Sequence, residues 1–178
     1  LLKCSRLTIE RKLNWLALKA ERALDKAQYN SKEIQFDEME TIERTKLLPV
    51  TIALAVDENY NIISTKVGRI PSKGPLSELS VKKYGPRPSE RPKALEGLFL
   101  DLKQRLNQPP QVLISDQSPH YRSVVERHFP ETEYIQFNSR QKIEKKREMP
   151  FLKENKKTFD PMFQINQRCA KIRADLKR

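Results

Sequence analysis

Two aspartates stand where they could do chemistry together. Asp37 follows the alternating run Ile34-Gln35-Phe36, and Asp116 follows the apolar run Val112-Leu113-Ile114-Ser115, just before a turn and a helix. Carboxylates brought together from two strand ends repel, and without a cation one of them must hold a proton. Mg²⁺, or Mn²⁺ in its place, suits such a pair, because it takes one or two carboxylates and completes its shell with water and phosphate oxygens. Two ions would support phosphodiester hydrolysis or transesterification, one activating water or a 3′-hydroxyl and the other stabilising the leaving oxygen. Each aspartate alone has a plainer reading, since strand ends and turns favour Asp and Asp116 before Gln117-Ser118-Pro119 can simply start a turn.

The elements around the pair set the fold class. A first strand is expected to end at Asp37, followed by strands at Pro49 to Val56 and Ile62 to Val67, which together read as an antiparallel meander. Leu95, Leu98, Phe99, Leu102 and Leu106 mark a helix from Pro92 to Leu106, stopped by Asn107-Gln108-Pro109-Pro110. The strand to Asp116, a helix carrying Tyr121, Val124, Val125 and Phe129, a strand from Glu133 to Phe137 and a helix from about Pro161 complete the order. This predicts a mixed α/β domain over 31–178. The helix at 92–106 lets the first and fourth strands lie side by side and parallel, about 4.8 Å apart, with both aspartates at their carboxyl ends.

Of the acids after the first strand, Glu38, Glu40 and Glu43, only Glu38 or Glu40 is close enough in sequence to join Asp37; the stretch reads as a partly solvated link. Residues 68–93 carry Gly68, Pro71, Gly74, Pro75, Gly85, Pro86, Pro88 and Pro92, a density that predicts a long loop without regular structure. Its basic residues, among them Lys73, Lys82, Lys83 and Arg87 with Tyr84, suit a clamp on a nucleic-acid backbone or a mere insertion.

The net charge of +12 is concentrated at the ends. Residues 1–30 hold 7 Lys/Arg against 3 Asp/Glu, residues 140–178 hold 13 against 5, and the middle is balanced at 15 each. Such ends fit a polyanion held from both sides, or a basic surface that only keeps the protein soluble. Ser5 is the expected N-cap of a helix over the first 30 residues, with apolar Ile9, Leu13, Leu16, Ala20, Leu24 and Ala27 at helical spacing. Arg6, Thr8, Arg11 and Lys12 crowd its first turns, as in the recognition helix of a partial helix-turn-helix, or in a plain amphipathic helix. Cys4 and Cys169 lack zinc or disulfide spacing. No apolar run approaches the ~20 residues of a membrane span and no signal-peptide pattern is seen, so a cytoplasmic, nucleoid-associated protein is expected. The start without Met and the stop at Leu176-Lys177-Arg178 in a helical pattern suggest a piece of a longer chain.

Phe36-Asp37-Glu38-Met39-Glu40-Thr41, Ile52-Ala53-Leu54-Ala55-Val56, Lys83-Tyr84-Gly85-Pro86-Arg87, Ser115-Asp116, and Asn166 with Ile172-Arg173-Ala174-Asp175-Leu176-Lys177-Arg178 together resemble bacterial insertion-sequence transposases of the DDE type. Cys4-Ser5, Thr8 and Arg11-Lys12-Leu13 extend the similarity to the N-terminal segment. The resemblance implies a helix-turn-helix that reads the element's terminal repeats and an RNase H-like domain, truncated at its C-terminus, that cleaves and transfers DNA strands with Mg²⁺. It implies Asp37 and Asp116 as the first two catalytic acids. The family places a third carboxylate, usually Glu, on the last helix, where this chain has Asn166 and no Glu in 155–178. Asn166, Asp160 or an acid beyond the end is left as the third ligand, with Asp160-Pro161 also reading as a helix cap. Synapsis of two DNA ends would require a homo-oligomer. An RNase H-like nuclease or resolvase, and an inactive remnant or DNA-binding regulator, are the other functions that these residues allow.

Overall fold

Residues 4–137 and 160–176 are described by the structure, a computed structural model. Period-two alternation and β-branched residues produce the strands β1 (Glu33–Ile42), β2 (Pro49–Asp57), β3 (Ile62–Arg69), β4 (Val112–Asp116) and β5 (Glu133–Phe137). They form one open mixed sheet in the order β3-β2-β1-β4-β5. β1 pairs antiparallel with β2 and parallel with β4, while β4 pairs parallel with β5. The expected side-by-side placement of the first and fourth strands is therefore present. The chain is α/β.

β2 is almost wholly apolar because both of its faces are covered. Ala53 and Ala55 join Ile34, Phe36, Ile63 and Leu113 beneath helices α3 (Arg91–Arg105) and α4 (Tyr121–His128). Leu54 and Val56 join Met39, Ile114, Ile165 and Cys169 under α5 (Phe163–Leu176) on the other face. Phe36 anchors the first cluster, its ring 5.1 Å from Phe99 and 5.0 Å from Tyr121. Gly68 of β3 lies against the start of α3, where a Cβ would stand 2.9 Å from the Glu90 carbonyl oxygen. Only a residue without a side chain allows that approach.

Two expectations need correction. β1 does not stop at Asp37 but runs five residues further, to Ile42, hydrogen-bonded along β2 from Ile34 opposite Asp57 to Ile42 opposite Pro49. Its acids are accommodated on the strand because Glu38 and Glu40 meet Arg91, and Glu40 also meets Lys73. Within 68–93, regular structure does survive: α2 (Leu76–Tyr84) occupies the nine residues between Pro75 and Gly85. Proline at the N-cap and a glycine at φ +79° after the last turn bound that helix rather than break it. Ser80 Oγ donates to the Leu47 carbonyl at 2.7 Å and seats it on the β1–β2 turn.

Helix α1 (Arg6–Lys26) starts at Ser5, whose hydroxyl accepts the Thr8 amide at 3.2 Å, as expected of an N-cap. None of its residues is buried. Its C-terminal end is tied down by Arg105, which reaches Asp25 at 2.8 Å and the Ile63 carbonyl at 2.9 Å. Among the described residues no helix is long and apolar enough to cross a membrane.

Candidate metal centre

Alternation along β1 decides which acids can meet. Ile34 and Phe36 point to α3 and α4, and Met39 to α5, so Asp37 shares the α5 face with Gln35 and Met39. β4 is registered with Gln35 opposite Ile114. The pairing ends there, and Asp37 and Asp116 each lie two residues beyond that last pair. Ile114 lies in the α5-side cluster, so Asp116, two residues on, faces the same way.

The electrostatics agree with this juxtaposition. The Asp37 carboxyl is pushed up from its ordinary 3.8 to about 6, first by burial and further by the charges of Asp116 and Glu38. Hydrogen bonds from the Glu38 amide at 2.7 Å and the Tyr121 hydroxyl at 3.4 Å, both to Oδ1, oppose the shift in part. Asp116 closes β4 and accepts the Ser118 amide at 3.1 Å, so its place in the turn and its place beside Asp37 coexist.

Glu38 points to the opposite face from Asp37. Its buried carboxylate receives Thr51 Oγ1 at 3.1 Å, Arg91 Nη1 at 3.2 Å and the Tyr121 hydroxyl at 3.3 Å. The side of Tyr121 near Asp37 thus also touches Glu38, which couples the two carboxylates through one hydroxyl. Glu40 is drawn below the usual carboxylate range, chiefly by its hydrogen bond from Lys73 and also by Arg91. Glu43 pairs with Arg87 at 3.1 Å.

Gln35 attaches α5 to the sheet. Its buried amide donates to the Pro161 carbonyl at 3.1 Å and to Gln164, while its oxygen accepts the Ile165 amide at 3.3 Å. From that anchor Ile165 and Cys169 follow at helical spacing down the buried face. The Cys169 thiol is pushed up to about 11 by burial and by the charge of Asp37, with Arg173 acting against both. The Cys169 side chain on α5 therefore stands within the field of Asp37. Asn166 is exposed and donates to Asp160 Oδ2 at 2.9 Å; Asp160 Oδ1 accepts the Met162 amide at 3.1 Å, a capping bond. These two candidate third ligands are paired with each other at the start of α5. Asp175 is exposed near its end.

The donor chemistry of Asp37 and Asp116 fits a hard divalent cation: two carboxylates on one face, one of them held toward its proton by burial and by the other's charge. Among the described residues, no group of three or more His, Cys, Asp and Glu is placed to hold a metal ion. The basic segment at 138–159 lies outside the described residues.

The expected DNA-contacting residues divide. Arg11 and Lys12 are exposed on α1, and Lys82 and Lys83 on α2. Arg6 pairs with Glu10 at 2.9 Å, Ser5 and Thr8 cap the helix, and Lys73 pairs with Glu40 at 2.7 Å. Arg87 is largely buried, donating to Glu43 and, at 3.3 Å, to the Pro49 carbonyl. Sequence reasoning missed Tyr121, Gln35 and Cys169 as neighbours of the site. The polar Gln35 on an otherwise buried alternation was the available signal.

No family model matches the chain, and no curated protein matches it.

Proposed function

We propose that the chain is the catalytic part of a DDE-type transposase, with an RNase H-like sheet that performs Mg²⁺- or Mn²⁺-dependent DNA cleavage and strand transfer. The observation that carries this reading is that Asp37 and Asp116, each two residues past the last pair of adjacent parallel strands, are close enough for the charge of Asp116 to raise the Asp37 carboxyl. Above about pH 6 the Asp37 carboxylate is available as a ligand. Ions held there would activate the attacking oxygen and neutralise the leaving one. The residues around the pair fix its geometry. Tyr121 and the Glu38 amide hold Asp37 Oδ1, the Ser118 amide holds Asp116, and Gln35 keeps α5 over the same face. Exposed Arg11, Lys12, Lys82 and Lys83 supply sequence-independent phosphate contacts to element ends and target DNA. Bringing two DNA ends together calls for at least two copies.

The test is nicking and joining of labelled DNA by the protein with Mn²⁺ or Mg²⁺. The expected result is that Asp37→Asn and Asp116→Asn each abolish product while DNA binding persists. A double mutant that still cuts would refute the assignment, and cleavage without joined product would indicate a hydrolytic nuclease or resolvase.

One observation favours a second reading, a DNA-binding protein without catalysis: burial and the charge of Asp37 push the Cys169 thiol of α5 up to about 11, so it brings no negative charge to that face. That reading predicts salt-sensitive DNA binding with no dependence on divalent metal.

A further inference from the structure

We propose that the cleft between the end of α2 and the β1–β2 turn is a subsite for one unpaired nucleotide of the DNA. The proposal rests on the DNA-processing reading above and adds what part of the DNA is recognised, and where.

The cleft holds about 160 Å³ and is lined by Leu48, Tyr84, Pro86, Arg87 and Pro88 and by the paired Arg69 and Glu90. Gly85, at φ +79°, ends α2 and turns the chain, so that Tyr84 forms one wall and the Pro86-Arg87-Pro88 segment the next. Two prolines fix the backbone on either side of Arg87, which makes this a preformed wall. Tyr84 is 44% exposed, and the Lys83 ammonium stands over one face of its ring, 5.4 Å from the centroid. An aromatic surface with a cation beside it is the pairing that unpaired nucleotides require, a face for the base and a charge for the phosphate.

Arg87 forms a fixed part of the wall, its guanidinium held by Glu43 and by the Pro49 carbonyl at 3.3 Å. The exposed Lys83 ammonium is the cation that a phosphate at the cleft would meet. The acids nearby do not oppose this: Glu90 is occupied by two bonds from Arg69 at 3.1 and 2.8 Å, and Glu43 by Arg87. The cleft lies toward the far end of β1 from Asp37, where Arg87 meets Glu43. Six residues of extended chain separate Asp37 from Glu43, about 20 Å, so a strand crossing the two aspartates can reach the cleft a few nucleotides away.

The experiment measures fluorescence anisotropy of a DNA duplex with a three-nucleotide unpaired end and of the same duplex fully paired, in EDTA. Wild-type protein is expected to bind the unpaired end more tightly. Tyr84→Ala is expected to lose roughly 5- to 150-fold on that probe, the range of one base–aromatic stack, with no change on the paired duplex. Tyr84→Phe, which keeps the ring, is expected to bind like wild type. Unchanged binding by Tyr84→Ala, or an equal loss on both probes, overturns the subsite. Metal-dependent nicking that persists beside such a result would show that only the cleft proposal failed. Absence of DNA binding by the wild type would overturn both readings.

Discussion

Replacing Asp37 by Asn stabilises the metal-free protein at neutral pH, although it removes a residue at the centre of the proposed site. The carboxyl titrates at about 6 in the folded chain against 3.8 ordinarily. Between those values the folded state keeps a proton that the unfolded state has lost, so stability falls as pH rises through this window. The difference of about 2 pH units corresponds to a penalty of about 3 kcal/mol, complete above about pH 7 and absent below about pH 4. Asn keeps the Oδ1 acceptor for the Glu38 amide and the Tyr121 hydroxyl, bonds of 2.7 and 3.4 Å, and carries no charge toward Asp116. A gain of about 1–3 kcal/mol at pH 7.5 in EDTA is expected, or roughly 2–4 °C in Tm per kcal/mol for a chain of this size. Urea denaturation followed by circular dichroism, repeated from pH 4 to 8, measures it. The gain must disappear toward pH 4. Mn²⁺ must then reverse the order, since a ligand bound only by the folded wild type stabilises it by about 2.7 kcal/mol at a hundredfold excess over Kd. An Asp37→Asn protein that is less stable at pH 7.5 in EDTA, or a difference that does not vary with pH, would refute this account of the pair.

Gly68→Ala places a methyl group 2.9 Å from the Glu90 carbonyl oxygen and 3.1 Å from Ala94 Cβ, and must push β3 away from α3; a loss of about 1–3 kcal/mol is expected in urea denaturation. Asn166→Ala removes an exposed bond to Asp160, so Mn²⁺ affinity by calorimetry is expected to stay within about twofold, whereas a large loss would place Asn166 in the metal site.

The strands and their order were legible because apolar runs such as Pro49 to Val56 have few alternatives, and because a helix between two strands permits their parallel pairing. Asp37 and Asp116 could be matched for the same reason: each stands a fixed number of residues along a strand whose neighbours are constrained. The length of β1 was hidden because Glu38, Glu40 and Thr41 look like a solvated link until Arg91 and Lys73, far off in sequence, are seen to neutralise the acids. α2 was hidden by its own boundaries, since prolines and glycines that bracket a nine-residue helix read much like a continuous loop. The contact between Gln35 and α5 joins residues about 130 positions apart, and no local pattern carries it. The same holds for Tyr121, which was readable as a core residue of α4 but whose hydroxyl position depends on the packing of α4 against β1.

The most direct test is calorimetric titration of the protein with Mn²⁺ at pH 7.5, beside the Asp37→Asn/Asp116→Asn double mutant. Binding by the wild type that vanishes in the double mutant is the expected result, and it would establish that the two strands hold one metal site. Equal binding by both proteins, or none by either, would contradict the claim.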